Sequence, residues 1–303
     1  MSEATLKIPA VGRSQNKPVV DCGAFSCSAF ADIPQACLSD SKGGDMGKAN
    51  GKAQERTFTV DMWWTDLNDV EIGFFIHSRH RAKSREFTQD SDVTGEVLEG
   101  GQRTGLISYR EGLWKSENPG EKRLVLKLFT PSMNWRASMD MLIGRSVQLS
   151  AGAGGFPVTA YSIHIDGLDQ VIQLERSARK WPGLPEQFSF FLLENGEAKL
   201  YRLRHDWIDI SGNYSLFDQT GAKIGHLTGH LFDLGGRWDV VLSAGCSPHL
   251  ATILQLVSAM LKFNAAARRH VNRLTHEVTS GAIKLALEKH ESDLYLNPRR
   301  SSH

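Results

Sequence analysis

The sequence predicts a mainly β protein: a closed or strongly curled antiparallel barrel around a central apolar helix, with a C-terminal amphipathic helix after it. Three observations carry this. From about Thr57 to Leu242 the chain reads as short runs rich in β-branched and aromatic residues, broken by Gly, Asp and Asn. These runs follow one another through hairpin-like turns, which indicates an antiparallel meander, since parallel neighbours need crossover helices. Finally, the stretch HLATILQLVSAMLKFN near the end is a helix that is apolar over most of its circumference.

Roughly ten or more strands in one sheet curl or close, which removes sticky edges. From Leu250 to Phe263 the polar positions are Thr252, Gln255, Ser258 and Lys262. At about 100° per residue they fall in a sector roughly a third of the circumference wide. A helix apolar elsewhere belongs in a core, and the run of roughly 14 residues is short of the ~20 that span a bilayer. Ser247 and Pro248 supply an N-cap and a first-turn proline.

In chain order, residues 1–55 form a tail with no hydrophobic period, including the Gly/Lys-rich SKGGDMGKANGKAQE. TFTVDMWWT and VEIGFFIHS read as strands around the turn DLND, and KRLVLKLFT alternates with Leu124, Leu126 and Leu128 on one face. NWRASMDMLIGRSVQL fits either a short helix or a strand, and AGAGGFP is a loop. PVTAYSIHIDG and DQVIQLERSA are strand-like. EQFSFFLLENGEAKLYRLRHDW is a hairpin about Asn195-Gly196, the pair favoured in two-residue turns with positive φ. NYSLFDQTGAKIGHLTGHLFD is a second hairpin with Gly221 at the left-handed turn position, and RWDVVLSAG is the last strand. The barrel with its helix (about 248–264) thus occupies 56–264. Residues 265–303 form an amphipathic helix and a frayed end, with seven Lys/Arg against four Asp/Glu. In that last helix Val271, Leu274, Val278 and Leu285 make an apolar stripe. Three placements are open for it: the outside of the barrel, a protein partner or second subunit, or a membrane with Arg268, Arg269 and Arg273 at the head groups.

Composition bounds the function. The chain has 303 residues, 41% hydrophobic and 23% charged, with net charge +1, so no global field draws it to nucleic acid. The start MSEATLKIPAVG lacks an apolar signal core, and Cys22, Cys27, Cys37 and Cys246 form no CxxC pair. Both point to a cytoplasmic protein with free thiols, peripheral to a membrane if it binds lipid.

The run from Phe188 through Gly245, followed by the apolar helix, resembles the tubby C-terminal-like superfamily, which includes the tubby, phospholipid scramblase and LURP-one-related families. The likeness lies in a hairpin pattern (Tyr214, Leu216, Asp218, Gly221, Ile224 and Gly225), a W-x-V-x-L strand (Trp238, Val240 and Leu242) and the terminal helix. It covers about 80 residues well. It implies a closed barrel threaded by the helix, and an anionic lipid such as a phosphoinositide as ligand. This chain departs from the family by running on for about 40 residues past the helix. It also has no tract that aligns with the family's lipid-binding basic residues, so none is carried over.

The candidate ligand site is therefore read from charge. Arg202 and Arg204 share one face of their strand, and Arg176, Arg179 and Lys180 precede them in a loop beside Trp181. If the two segments meet, they make a basic patch with an interfacial aromatic, suited to charge-assisted phosphate contacts. Other chemistry finds less support. His226 and His230 share a strand face, while His77 and His80 do not, and no zinc set with fixed spacing is visible. There is no G-x-S-x-G elbow, and Gly152, Gly154 and Gly155 lack the Lys-Ser/Thr of a phosphate loop. His205, Asp206 and Asp209 have the residue types for acid–base work but no evident partner. No catalytic residue, cofactor or metal is assigned. The reading is a non-enzymatic binding module for anionic lipid head groups; the alternative is an assembly protein that oligomerises or binds a protein through the stripe of the C-terminal helix.

Overall fold

A computed structural model describes residues 55–62, 86–88, 91–178, 185–206, 212–230 and 236–296. The N-terminal tail and its three cysteines, the strand expected at VEIGFFIHS, His77, His80, Arg179, Lys180, Trp181 and Asp209 lie outside these residues.

Thirteen strands form one antiparallel sheet: β1 Arg56–Met62, β2 Glu86–Thr88, β3 Ser91–Glu99, β4 Gln102–Tyr109, β5 Val125–Phe129, β6 Trp135–Met141, β7 Ala160–Ile165, β8 Ile172–Arg176, β9 Gln187–Glu194, β10 Glu197–His205, β11 Tyr214–Phe217, β12 Lys223–His230 and β13 Arg237–Leu242. Each strand from β3 to β12 pairs with its successor in sequence. β1 pairs with β13 on one side and, through Thr59–Met62, with β3 on the other. That closes a barrel of 12 strands, with β2 attached to β3 outside the ring. Residues on both sides of the break near 180 therefore belong to one barrel.

The turns follow the expected chemistry. Asn195 and Gly196 sit at φ 53° and 80°, and Gly221 at φ 86°. The ambiguous stretch resolves into both readings in succession: β6, then helix α2, Ile143–Gly152. A one-turn helix, α1 (Glu111–Trp114), lies between β4 and β5.

The interior is filled by α3, Pro248–Thr279. Ser247 caps it, its hydroxyl accepting from the Leu250 N–H at 3.1 Å, with Pro248 in the first turn. From Leu250 to Leu261 every residue is buried, on all sides of the helix, including Thr252, Gln255 and Ser258. By length and apolarity the helix is enough to cross a membrane, yet 83% of its most apolar window is buried inside the protein. Barrel side chains supply the apolar surroundings that lipid would otherwise supply.

From the sequence the helix either continues past Asn264 or restarts there, and in the structure it continues. α3 runs on for 32 residues and ends at Gly281, whose φ of 75° lets the chain turn out while Ala282 N–H bonds back to Glu277 O at 2.9 Å. Residues 280–288 are not helical, and a short helix α4 follows, Lys289–Leu296.

The C-terminal segment folds back on the barrel. The Glu291 carboxylate accepts from the N–H groups of Gly144 and Arg145 (2.9 and 2.6 Å), capping α2, which has no side-chain cap of its own. Glu288 pairs with Arg123 at 3.0 Å. Glycine at 144 leaves room for this approach, since a Cβ there would meet the tip of the Leu287 side chain and Glu291 Oε1 at 3.0 Å.

Candidate functional site

One polar cluster lies inside, where α3 leaves the barrel. Glu186, just before β9, pairs with Arg176 at the end of β8. It also accepts from Tyr214 Oη (2.7 Å) and Asn264 Nδ2 (2.9 Å), with Arg268 at 3.6 Å. Arg176 donates in addition to the Pro157 carbonyl. Burial opposes the charge on Glu186, but the adjacent Arg176, the hydrogen bonds from Arg176 and Tyr214 and the charge of Arg268 together hold its carboxyl below the usual range. Burial and the same carboxylate push the Tyr214 phenol up. The cluster ties helix to wall. Both Glu186 oxygens are engaged, while Asn264 Oδ1 and Arg268 Nε are buried without a hydrogen-bond partner among the described residues.

Arg176 is thus corrected. It is a strand residue, 3% exposed, engaged in a buried ion pair, and does not join a surface patch. The strand register explains why: Ile172 and Leu174 point inward, and Arg176 continues their face. The partner stripe is corrected as well. Val271 and Leu274 are fully buried in the chain's own core, and Val278 and Leu285 pack against it. Of the three placements, the structure therefore fills the stripe with the barrel's own end and α2.

Arg202 and Arg204 stay outside. On β9 and β10 the inward residues are Phe188, Phe190, Leu192, Tyr201 and Leu203. Alternation then turns Phe191, Leu193, Leu200, Arg202 and Arg204 outward. Phe191 is 63% exposed and Leu193 51%, unusual for large apolar side chains on a well-paired strand. Across the strands Leu193 faces Ala198, Phe191 faces Leu200, and Arg202 lies between Ser189 and Phe217. The Arg204 guanidinium stacks over the Phe217 ring at 4.6 Å. Arg202 Nη2 donates to the Asp218 carbonyl at 3.4 Å. Neither arginine pairs with a carboxylate among the described residues. Lys223 pairs with Phe217 on the neighbouring strand and adds a third cation, while Glu197 lies exposed at the hairpin turn.

The face is held rigidly. β8 ends short of the β9 tip, and the side chain of Gln170 completes the edge, accepting from Leu193 N–H at 3.0 Å and donating to Leu193 O at 2.9 Å. The exposed Phe191 and Leu193 were not singled out from sequence. The signal was there, in the unbroken apolar run FFLL (Phe190, Phe191, Leu192 and Leu193), which places large apolar side chains on both faces of one strand.

The remaining candidates fall to ordinary roles. Asp206 accepts from the Ser215 hydroxyl at 2.9 Å, and His205 lies edge-on to Tyr214. His230 contacts Asp239 at 2.7 Å, and no cluster of three metal-ligating side chains occurs among the described residues. Cys246 is half-buried, and burial pushes its thiol up, away from nucleophilic use.

Compared with protein-family models, curated proteins and solved structures, the chain matches none.

Proposed function

We propose that this chain is a non-enzymatic binding module that docks on an anionic membrane surface through the outward face of β9, β10 and β11. The observation that carries the reading is the pairing of exposed Phe191 and Leu193 with Arg202 and Arg204, two arginines without carboxylate partners among the described residues. The apolar pair lies toward the hairpin tip and the arginines lie behind it. Arg202 is opposite Ser189, four residues from Leu193, so the two levels are roughly 13 Å apart at about 3.3 Å per residue. That spacing lets the tip enter the acyl boundary while guanidinium groups meet phosphates. The resemblance to the tubby-like superfamily supports the same ligand class, and a cytoplasmic, peripheral location goes with it.

The test is co-sedimentation with phosphatidylcholine vesicles with and without phosphatidylserine, at low and high salt. Each basic side chain near such a surface contributes about 1 kcal/mol. Arg202→Ala with Arg204→Ala should therefore weaken binding by roughly 30-fold. Equal binding to both vesicle types, or binding indifferent to salt and to the double variant, would remove the proposal.

A further inference from the structure

A second outward face, on β5, β6 and β7, forms a groove of about 700 Å³ roofed by α4. That volume suits a small ligand. Leu126, Leu128, Met139 and Ile163 point into the core, so Lys127, Ser138 and His164 point out. The register aligns these three side by side: Lys127 faces Ser138, and Ser138 faces His164. Adjacent strands lie about 4.8 Å apart, which gives a row of an ammonium, a hydroxyl and an imidazole across three strands. Lys127 forms no ion pair among the described residues.

The rows on either side differ in kind. One holds Asp140, which pairs with Arg123 Nε at 3.1 Å and lies 3.3 Å from His290 Nε2. The other holds Phe129 and Trp135, paired across β5 and β6. The groove therefore runs from the Asp140–Arg123 ion pair, over a cationic and hydrogen-bonding row, to an aromatic wall. Asp166 and Asp293 also line it.

We propose that this groove binds a small organic anion carrying one aromatic ring. Its carboxylate or phosphate monoester is held by Lys127, Ser138 and His164, and its ring lies against Trp135 and Phe129. This site is separate from the lipid face and stands or falls independently of it. A charge-assisted bond to Lys127 and a ring contact with Trp135 are each strong enough that losing one weakens binding about tenfold.

The experiment is ligand-observed NMR titration of the full chain with benzoate, phenyl phosphate, benzyl alcohol and inorganic phosphate. Saturable binding is expected for benzoate or phenyl phosphate, and the stronger of the two identifies the anionic group. It should weaken about tenfold in Lys127→Ala and in Trp135→Ala and stay unchanged in Gln173→Ala on the exposed face of β8. Lys127→Gln, which keeps the stem that lies on the sheet, should behave as Lys127→Ala, and circular dichroism checks that each variant folds. No saturation with any aromatic anion at millimolar concentration overturns the proposal. So does equal binding of benzyl alcohol or of inorganic phosphate, or undiminished binding in the Lys127 and Trp135 variants.

Discussion

The outward faces of β5–β7 and β9–β11 come from the same kind of strand, alternating into one shared core, yet they are finished differently. On β5–β7 the outward side chains are mostly polar, Asp140 is paired with Arg123 and lies beside His290, and α4 lies over them. On β9–β11 the outward side chains are apolar, neutral polar or cationic, the arginines lack carboxylate partners among the described residues, and Phe191 and Leu193 remain exposed. A covered groove limits a ligand to small size, whereas an open plate with apolar tips and cations behind them suits a surface. The difference arises from where the chain sends its last residues: Gly281 turns them out of α3, and Glu291 fixes them on α2.

The comparison breaks most severely if the support of the open face is removed. Arg176→Met leaves the Glu186 carboxylate buried without its main partner, at the junction of β8 and β9. Loss of one member of a buried pair costs about 3–5 kcal/mol, readable as a lowered urea midpoint with unchanged slope. A loss under about 1 kcal/mol, as for an exposed pair, would mean the cluster does not anchor the helix.

Acid acts next, from the side of the covered face. Burial pushes the His270 imidazole down to about 4, with the charges of Lys122 and Arg273 adding to the effect. The unfolded ring titrates near 6.5, so between about pH 6.5 and 4 the unfolded chain binds more protons, and stability is lost as the pH is lowered through this window. The full effect is about 3 kcal/mol at about 1.4 kcal/mol per unit. Glu186, held low in the fold, extends the loss below the ordinary carboxylate range. His270→Gln should flatten the upper part of this profile in denaturation measured from pH 7 to pH 4. An unaltered slope would show that His270 is not the titrating group.

A smaller effect separates the faces. Glu291→Gln removes the charge of the α2 cap and replaces one of its two accepting oxygens with an amide donor, a loss of about 1–2 kcal/mol. Hydrogen exchange should rise in 285–296 and stay unchanged in β9 and β10; a rise in both would mean the faces are coupled. Smallest is Glu197→Gln at the hairpin tip. Removing a carboxylate from the docking edge should strengthen binding to phosphatidylserine vesicles severalfold, with stability within about 0.5 kcal/mol. Weaker binding would place the tip away from the membrane.

Much of the architecture was legible because it rests on local signals. Alternation in β5, the Asn195-Gly196 turn and the all-round apolar helix each dictated the element that formed. The end of α3 was misread because Ala282 and Leu285 happen to continue the spacing of Val271, Leu274 and Val278. The decisive signal was Gly281, a residue that ends helices at positive φ. The site was less legible, since charge alone does not reveal which strand face a side chain occupies. Arg176 and Arg202 look alike in sequence, yet one lies on the core-facing register of its strand and the other on the outward register. The β5–β7 groove was hidden for another reason: its roof comes from residues 290–294, more than a hundred positions away in the chain.

The membrane reading is tested most directly by depth. A nitroxide at Leu193→Cys, in a chain whose four native cysteines are serine, reports whether the β9 tip enters lipid; a second label at Gln173→Cys serves as reference. With phosphatidylserine-containing vesicles, oxygen accessibility should rise and nickel-complex accessibility fall at position 193, while position 173 stays aqueous. If both labels remain aqueous with the protein bound to vesicles, the open face of β9–β11 is not the membrane-docking surface.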